Sequence, residues 1–586
     1  MRRWLAFGPI VLSLPLFLLA ADTRPVEKTP RSVPQFMLKD TTGKGWSLND
    51  QKAKKAIVVV FVGTECPINN AYMPRLAELH KEYAPRGVAF VAINANSTDA
   101  PARVAAHAKD HGIPFPVLKD TANIVADQFG ARRTPEAFVL DSSGKILYQG
   151  RIDDQIGIGF QRPAPTRRDL AEALNEVLAG KPVSQPATQA PGCAIARTIK
   201  PKTSGSITYS KDVAPILQKN CQECHRPSQV GPMALLSYED ALGWAESIRE
   251  VVEERRMPPW HADPKFGHFA NDRSLSKAER ETLLAWIKQD CPQGNPRDLP
   301  APRRFPEEWT IGKPDAVFSM PNTFHVPAKG GKNGIRYQYF QVDMNFEEDR
   351  WIQAAEARPG NRAVVHHIIA YIAKTGERFE QRGPDGIGDK MLVAFAPGDL
   401  PAVFAPGIAK KVPKGSTLLF QMHYTPNGVE QDDRSSVGLI FAKQPPKHEV
   451  LTRAITQRRF TIPPGADNQE VKSATTFKED ALLLSLFPHM HLRGKDFEYR
   501  IVFPDGKSEV LLRVPRYDFN WQSHYRLAKP IKMPAGTRIE CTAHFDNSAN
   551  NPNNPDPQKT VRWGEQTWEE MMIGFVDYVN LAKTKE

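Results

Sequence analysis

The feature that most constrains this sequence is the pentad Cys221-Gln222-Glu223-Cys224-His225. Its two thiols lie one helical turn apart, so they can add to the two vinyl groups of one haem while the adjacent imidazole ligates the iron. A disulfide loop and half of a zinc site are the other uses of such a pair, but the sequence has no second CxxC to complete a zinc ribbon. The pentad therefore predicts one covalent haem c.

The sixth iron ligand has three candidates, all of which follow the pentad in the sequence. Met257 lies 32 residues after His225, and prolines flank it in Arg256-Met257-Pro258-Pro259-Trp260. Because proline stiffens a loop, we predict Met257 as the ligand, a thioether that would raise the reduction potential. Met233 and His261 are the alternatives.

Residues 207–300 surround the pentad and have the pattern of short helices. Helical periodicity covers residues 212–219, 238–255 and 276–289. With its MPPW string, this section resembles the small planctomycete-type cytochrome c domains over about ninety residues. The resemblance implies a small all-α cytochrome c domain.

The N-terminus predicts export. Met1-Arg2-Arg3 is basic, Trp4–Leu19 is apolar, and Ala20-Ala21 precedes a polar segment. This order matches a signal peptide and is too short for a comfortable membrane span. We predict a periplasmic or secreted protein with a signal peptide over residues 1–21, an uncleaved anchor being the alternative. No later stretch is apolar enough to cross a bilayer.

A chain of 586 residues is too long for one core, so we expect several domains. The net charge of +11 is spread along the chain, which favours acidic partners and does not indicate nucleic-acid binding. The predicted boundaries are a leader over 1–21, an α/β domain over 33–180, a linker over 181–206, a helical domain over 207–300, and two β-sandwiches over 307–450 and 451–586.

The section 33–180 alternates strand and helix patterns. Ile57–Phe61 and Val88–Ile93 are continuous apolar runs typical of strands buried on both faces. Amphipathic stretches over residues 75–83 and 102–111 alternate with them. Layers of helix and sheet are the expected architecture.

Cys66 follows the first of these strands in Gly63-Thr64-Glu65-Cys66-Pro67-Ile68-Asn69. A thiol at such a turn gains from the helix N-terminus, which lowers its pKa. With Thr134-Pro135 before the strand-like Ala137–Leu140, the section resembles the thioredoxin-like, peroxiredoxin-related family over about 150 residues. The resemblance implies a thioredoxin fold in which Pro135 is the cis-proline.

The section departs from both motifs of that family. Asn69 stands in place of the second cysteine of CxxC, and Gly63 in place of the threonine before a peroxidatic cysteine. A scaffold or interaction module and an active thiol protein both remain open. Cys193 can resolve Cys66 or pair with Cys291, and the sequence does not choose between them.

From residue 307 onward, short strands alternate with Pro, Gly and Asn turns, which predicts two successive β-sandwiches. His489 and His491 are two residues apart in a strand-like segment, so their imidazoles can share one metal ion. The adjacent His366 and His367 can reach one ion only where a strand ends or bulges. A methionine ligand would select copper over zinc.

Four strings in this half resemble the copper type II, ascorbate-dependent monooxygenases, which hydroxylate peptidylglycine or dopamine. They are Val365-His366-His367-Ile368, Gln421-Met422-His423-Tyr424, His489-Met490-His491 with Gly494, and Glu570-Met571. The resemblance implies two jelly-roll-like sandwiches facing each other across a solvent-filled cleft. It assigns an electron-storing copper to His366, His367 and His423, and an O2-binding copper to His489, His491 and Met571. Met571 is preferred to Met572 because it directly follows the acidic residue.

This half also departs from the monooxygenases. Phe487 occupies the position of the arginine that grips a peptide carboxylate, Phe575 replaces a tyrosine, and Ile573 an asparagine. Most framework disulfides are missing, since Cys541 is the only cysteine in this half. We therefore expect a small apolar or uncharged substrate.

Together, these features predict an exported, copper- and haem-dependent oxidoreductase with two coppers. It would hydroxylate a C–H bond with O2, using electrons that an external donor such as ascorbate passes through the haem. A non-catalytic copper-binding or electron-transfer protein is one alternative. A thiol–disulfide oxidoreductase that works through Cys66 is the other.

Overall fold

The computed structural model describes residues 31–306, 308–331, 334–374 and 390–581. The predicted signal peptide over residues 1–21 lies outside these ranges. In the described part of the chain, none of the helices combines the length and the apolar character that a membrane crossing requires.

The N-terminal part is an α/β layer structure around a five-stranded sheet with the order β5-β4-β3-β7-β8. Strands β3, β4 and β5 are parallel, whereas β7 and β8 are antiparallel to their neighbours. Its elements are β1 (Met37–Lys39), β2 (Gly45–Ser47), β3 (Ala56–Val62), α1 (Pro67–Tyr83), β4 (Val88–Asn94), α2 (Pro101–Asp110), β5 (Val117–Lys119), α3 (Ile124–Phe129), β6 (Arg133–Thr134), β7 (Glu136–Leu140), β8 (Ile146–Gly150), β9 (Ile156–Gly157), β10 (Phe160–Gln161), α4 (Asp169–Leu178) and β11 (Cys193–Ala194), with 3-10 turns at Leu48–Gln51 and Ala84–Arg86.

The predicted strands and helices of this part are present. All residues of β3 are buried, as its continuous apolar run predicts for a strand covered on both faces. The peptide bond between Thr134 and Pro135 is cis, as predicted. This part therefore has the α/β architecture expected of a thioredoxin-like domain.

The segment predicted as a linker, residues 181–206, packs on the α/β part. Within it, β11 pairs with β6, and the N–H of Ser97 donates to the carbonyl of Ala196. Ile195 is buried in the core that β3, β4 and α3 share. This packing keeps Cys193 next to the sheet.

The middle part consists of helices, α5 (Ala214–Asn220), α6 (Tyr238–Gly243), α7 (Ala245–Glu253) and α8 (Lys277–Lys288), with a π-helical turn at Tyr209–Val213 and a 3-10 turn at Pro296–Asp298. The helix predicted over 238–255 is divided at Trp244, where φ is −103° and ψ is 12°. Ser276 caps α8 in a capping box with Glu279. The core of this part includes the fully buried Trp286 and Cys291.

The C-terminal half is almost entirely β-structure. Its strands are β12 (Ala316–Ser319), β13 (Phe324–Val326), β14 (Gln338–Asp343), β15 (Arg350–Arg358), β16 (Val365–Lys374), β17 (Met391–Phe395), β18 (Ala402–Val403), β19 (Ile408–Val412), β20 (Ser416–Tyr424), β21 (Gln431–Asp433), β22 (Ser436–Phe441), β23 (His448–Thr456), β24 (Thr461–Ile462), β25 (Gln469–Thr476), β26 (Ala481–His489), β27 (Gly494–Val502), β28 (Ser508–Val514), β29 (Tyr525–Met533), β30 (Arg538–Phe545), β31 (Val561–Arg562) and β32 (Ile573–Asn580).

A nine-stranded sheet runs through this half in the order β12-β22-β15-β19-β23-β32-β26-β29, with β18 beside β15. The four-stranded sheets β14-β20-β16-β17 and β25-β30-β27-β28 complete two separate cores. The parallel pairing of β19 with β23 joins the strands of the first core to those of the second. The two β-units are therefore continuous through a shared sheet.

Candidate functional site

Cys66 lies where β3 passes into α1 and is the N-cap residue of that helix. Its thiol is 2.9 Å from the carbonyl oxygen of Thr134, the residue before the cis-proline. The backbone N–H of Asn69 donates to the sulfur over 3.5 Å. Asn69 itself is buried, and its amide donates to the Gly63 carbonyl over 2.7 Å. The residue in place of the second CxxC cysteine is thus a structural hydrogen-bond donor.

The second thiol near Cys66 comes from Cys193, which the pairing of β11 with β6 places opposite Thr134. Burial raises the pKa of Cys66, but hydrogen bonds from the Cys193 side chain and from the N–H groups of Asn69 and Cys193 outweigh it and lower the pKa to about 7. The same contact with Cys66, together with burial, raises the pKa of Cys193. Both thiols are free.

The sequence did not decide whether Cys193 pairs with Cys66 or with Cys291, and the structure places Cys193 beside Cys66. Cys291 lies in the core of the helical part, where its carbonyl accepts a hydrogen bond from Tyr238 over 2.8 Å. The arrangement is a pair of neighbouring thiols with unequal acidity, which suits thiol–disulfide exchange because the more acidic thiol is the better leaving group.

The pentad 221–225 follows α5. Burial raises the pKa of both of its thiols, that of Cys221 to about 12. The Nδ1 of His225 lies 3.2 Å from the Met233 carbonyl oxygen, so this nitrogen is the donor and Nε2 carries the lone pair. Free thiols beside an imidazole with an oriented Nε2 fit covalent haem attachment with His225 as an axial ligand.

The pair His366-His367 lies at the start of β16, where the register with β20 shifts between Val365 and His367. This irregularity supplies the bulge that adjacent histidines need to reach one point. The Nδ1 atoms of His366 and His367 are 3.4 Å apart. His423 is directly opposite His367 in the pairing of β16 with β20.

These three histidines form a compact cluster. One ring nitrogen from each of His366, His367 and His423 lies within 4.8 Å of the other two. Each of the three rings has one buried nitrogen without a hydrogen-bond partner, Nε2 in His366 and His367 and Nδ1 in His423. Burial lowers the pKa of all three imidazoles, that of His366 to about 4. Neutral imidazoles with unpaired buried nitrogens fit a transition-metal ion that prefers imidazole ligands, copper and zinc among them.

A second histidine pair lies at the end of β26. His489 is the last residue of that strand and His491 lies just beyond it, with ring centroids 5.1 Å apart. The Nδ1 of His489 donates to Gln522 Oε1 over 2.7 Å, and the Nδ1 of His491 lies 3.3 Å from the Glu569 carbonyl oxygen. These contacts fix the tautomers and leave Nε2 as the ligand atom.

Met571 is buried in the contact between the two β-units, in a cluster with Phe487 and Phe575. The residue before it, Glu570, accepts the backbone N–H of His491 over 2.9 Å. Met572 instead belongs to the core of the second unit. The two methionines thus face different surroundings, and Met571 is the one at the contact between the units.

The connection between β28 and β29, residues 515–524, contains residues that no motif predicted. The Phe519 ring stacks on His366 with centroids 5.2 Å apart and planes at 11°, and its centroid is 6.0 Å from that of His491. One aromatic ring therefore contacts both histidine clusters. Gln522, which orients His489, comes from the same connection. Only the tertiary structure shows these roles, since the connection lies far from every histidine string.

Residues of three of the candidate sites line one cavity of about 1370 Å³. Cys193 lines it on the side of the α/β part, and His366 and His423 line it on the side of the C-terminal half. Its wall in the helical part includes the two cysteines and the histidine of the pentad and all three candidates for the sixth ligand, Cys221, Cys224, His225, Met233, Met257 and His261.

One family comparison assigns a section of the N-terminal part. Residues 30–149 match the AhpC/TSA family. The chain is 31% identical over 119 residues to the thiol-disulfide oxidoreductase ResA of Bacillus thuringiensis (strain Al Hakam), covering 20% of this chain and 67% of the relative. It is 35% identical over 117 residues to the thioredoxin-like protein YneN of Bacillus subtilis (strain 168), with the same two shares.

Among solved structures, a hypothetical protein of Sinorhizobium meliloti 1021 is 35% identical, with a TM-score of 0.27, 29% of this chain covered and 94% of that one. The matched region of the AhpC/TSA family contains β3, Cys66, α1 and the cis-proline. Through residues 30–149, the chain belongs to the AhpC/TSA family of thioredoxin-like proteins.

Proposed function

We propose that this protein is a thiol–disulfide oxidoreductase whose working pair is Cys66 and Cys193. The observation that carries the proposal is the contact between the two thiols, in which Cys193 helps to lower the pKa of Cys66 to about 7. A thiol with this pKa is about half ionised at neutral pH, and its thiolate is both a nucleophile and a good leaving group. The similarity to thiol-disulfide oxidoreductase ResA supports the same class of chemistry.

The accessibility of the two sulfurs gives the order of steps. Cys66 is 1% exposed, whereas Cys193 lines the cavity. Starting from a Cys66–Cys193 disulfide, a substrate thiolate attacks the Cys193 sulfur, the disulfide breaks, and Cys66 leaves as the thiolate. A second substrate thiol then displaces Cys193 from the mixed disulfide, which yields a substrate disulfide and the protein dithiol. Exchange with a substrate disulfide is the reverse sequence.

Exchange kinetics with a small disulfide such as oxidised glutathione test this proposal. We expect Cys66→Ser and Cys193→Ser each to abolish turnover, because each removes one sulfur of the pair. Cys291→Ser is the matched control and is expected to keep turnover. Full activity in Cys66→Ser would refute the proposal.

We propose a second function for the C-terminal half, O2-dependent hydroxylation of an apolar or uncharged small molecule. It would use one copper at His366, His367 and His423 and another at His489, His491 and Met571. Electrons would come from an external donor through a haem attached at Cys221 and Cys224. The supporting observations are that one ring nitrogen of each of the three imidazoles lies within 4.8 Å of the other two, and that each ring has a buried nitrogen without a hydrogen-bond partner. When bound, the coppers would supply electron storage and O2 chemistry, and the haem one-electron transfer.

The surrounding residues already hold the histidines of these sites in the protonation state and orientation that metal binding needs. Burial keeps His366 and His489 neutral, with pKa values of about 4, so a metal ion does not have to displace a proton. Gln522 orients the ring of His489. Phe519 covers His366 and excludes water from that side. The predicted export is compatible with the thiol–disulfide function, because disulfides persist outside the cytoplasm.

Metal analysis of the purified, haem-loaded protein, combined with O2 uptake, tests the second function. We expect two coppers per chain, one fewer in His423→Ala, and no loss in His448→Ala, which changes a histidine outside both clusters. We also expect O2 uptake that depends on an apolar substrate. Two coppers without such uptake would favour the alternative of a non-catalytic copper-binding protein, and a chain that binds no copper would exclude both.

A further inference from the structure

We propose that Arg226, Arg273 and Arg362 form a carboxylate-binding site that holds the propionates of the haem attached at Cys221 and Cys224. This inference rests on the proposed haem attachment and adds a contribution from the C-terminal half. The haem site would then be shared between two parts of the chain.

The three arginines come from separate segments and meet around the pentad. Arg226 directly follows His225, Arg273 lies between α7 and α8, and Arg362 lies four residues before His366. All three line the cavity together with Cys224. Burial raises the pKa of the Cys224 thiol, and the positive charges of Arg273, Arg226 and Arg362 oppose this rise, which places all three near the thiol.

Few carboxylates are available to form ion pairs with these guanidinium groups. Arg226 is 3.7 Å from Glu223, but Glu223 is also the partner of Arg303. The Nε of Arg226 is buried and has no hydrogen-bond partner. The guanidinium carbon of Arg226 lies 4.3 Å from the centroid of the Phe305 ring, which shields that face from water. A buried donor without an acceptor is costly, and an anion in the cavity would satisfy it.

Arg273 and Arg362 have the same shortage. Among the described residues, neither forms an ion pair with a carboxylate. Arg273 donates to the Gly398 carbonyl, and the guanidinium carbon of Arg362 lies 5.3 Å from the centroid of the Phe395 ring. Burial and the charges of Arg358 and Arg226 lower the pKa of Arg362, and the nearby Glu356 carboxylate offsets this lowering only in part. The cluster therefore has excess positive charge facing the cavity.

A haem supplies the complementary charge. Its two propionates are carboxylates, and its vinyl groups are the positions at which the pentad cysteines react. Arginine is the side chain best suited to carboxylates, because its planar guanidinium can donate two parallel hydrogen bonds. Since Arg362 belongs to the segment that leads into His366, its pairing with a propionate would hold the haem against the histidine cluster.

The test is the midpoint potential of the haem, measured by spectroelectrochemistry on the full-length, haem-loaded protein. Loss of a nearby positive charge disfavours the added electron, so Arg362→Gln and Arg273→Gln are each expected to lower the potential. Arg362→Lys keeps the charge and is expected to retain most of the wild-type potential. Arg303→Gln is the control, because Arg303 lines the same cavity but is paired with Glu223.

Unchanged potentials in both Arg362→Gln and Arg273→Gln would overturn the inference. A soluble carboxylate is the other ligand that such a cluster could hold. Benzoate that binds the haem-loaded protein by calorimetry, and fails to bind Arg362→Gln, would show that the arginines are free for it and would also overturn the inference. Failure of the underlying haem proposal is seen separately, as a wild-type chain whose mass shows no attached haem.

Discussion

At the scale of single residues, the acidity of Cys66 depends on three local features. The sulfur caps α1, accepts the N–H of Asn69 and contacts the Cys193 thiol. Burial acts against ionisation, since Cys66 is 1% exposed. The hydrogen bonds therefore decide the protonation state, and the contribution of Cys193 can be removed by substitution.

We predict that the Cys66 thiolate titrates with a midpoint near pH 7 and that Cys193→Ala raises this midpoint. Without the Cys193 donor, the burial penalty is less well opposed. The thiolate absorbance near 240 nm, taken as the difference between the protein and its Cys66→Ala variant, measures the titration. Cys541→Ala serves as the control, because burial raises the pKa of Cys541 and it does not ionise in this range. A midpoint that Cys193→Ala leaves in place would contradict the assignment.

At the scale of elements, irregular positions in regular strands create the histidine clusters. The register shift at the start of β16 lets His366 and His367 approach the same point. The end of β26 places the rings of His489 and His491 close together, with centroids 5.1 Å apart. The connection 515–524 then contacts both clusters through Phe519 and Gln522.

Within the proposed copper function, Gln522→Ala should weaken copper binding at His489 by about 10- to 100-fold, the usual effect of removing a hydrogen bond to a metal-bound histidine. The side chain of Gln522 is 4% exposed and accepts from His489 Nδ1. Titration against a copper chelator measures the affinity. Gln558→Ala, at an exposed glutamine, is the control. Equal affinities in the two variants would show that Gln522 does not orient the ligand.

The turn after β26 depends on Glu570, whose carboxyl group accepts the backbone N–H of His491 and of Arg493. Glu570→Ala leaves two buried donors without acceptors, so we expect a loss of about 2–6 kcal/mol in the free energy of unfolding. Glu498→Ala, which breaks a more exposed pair with Arg500, should cost about 0–1 kcal/mol. Denaturant unfolding monitored by tryptophan fluorescence compares them. Similar losses in both variants would contradict the role of Glu570.

At the scale of the whole molecule, contacts between distant segments enclose the shared cavity. Arg133 of the α/β part pairs with Glu250 of α7 at 2.8 Å. Asn520, in the connection 515–524, donates to the Gly159 carbonyl of the α/β part over 2.8 Å. All three parts therefore contribute walls to one space that Cys193, the pentad and the first histidine cluster line.

The sequence predicted what local patterns determine. The buried strand at 57–61, the cis-proline and the position of Cys66 at a strand-to-helix turn are all present. The break at Trp244 was not predicted, because helical periodicity continues through it. The sheet that joins the two β-units was also missed, since the pairing of β19 with β23 brings together residues about forty positions apart.

In the candidate sites, too, residues that follow a local pattern could be predicted, and residues that tertiary packing brings in could not. Histidine strings such as 366–367 and 489–491 could be found because their spacing follows strand geometry. Phe519 could not be found, and the partner of Cys193 could only be narrowed to Cys66 or Cys291, since tertiary packing alone brings these residues to the sites. Sequence reasoning therefore found the candidate ligand residues but missed the residues that orient them.

The pairing of Cys66 with Cys193 is the central claim, and disulfide mapping tests it most directly. The full-length protein would be oxidised with diamide, digested without reduction and analysed by mass spectrometry. We predict one dominant cross-linked peptide that joins Cys66 to Cys193, with Cys291 and Cys541 still alkylated as free thiols. A peptide joining Cys193 to Cys291, or an oxidised sample in which Cys66 and Cys193 both remain free, would contradict the claim.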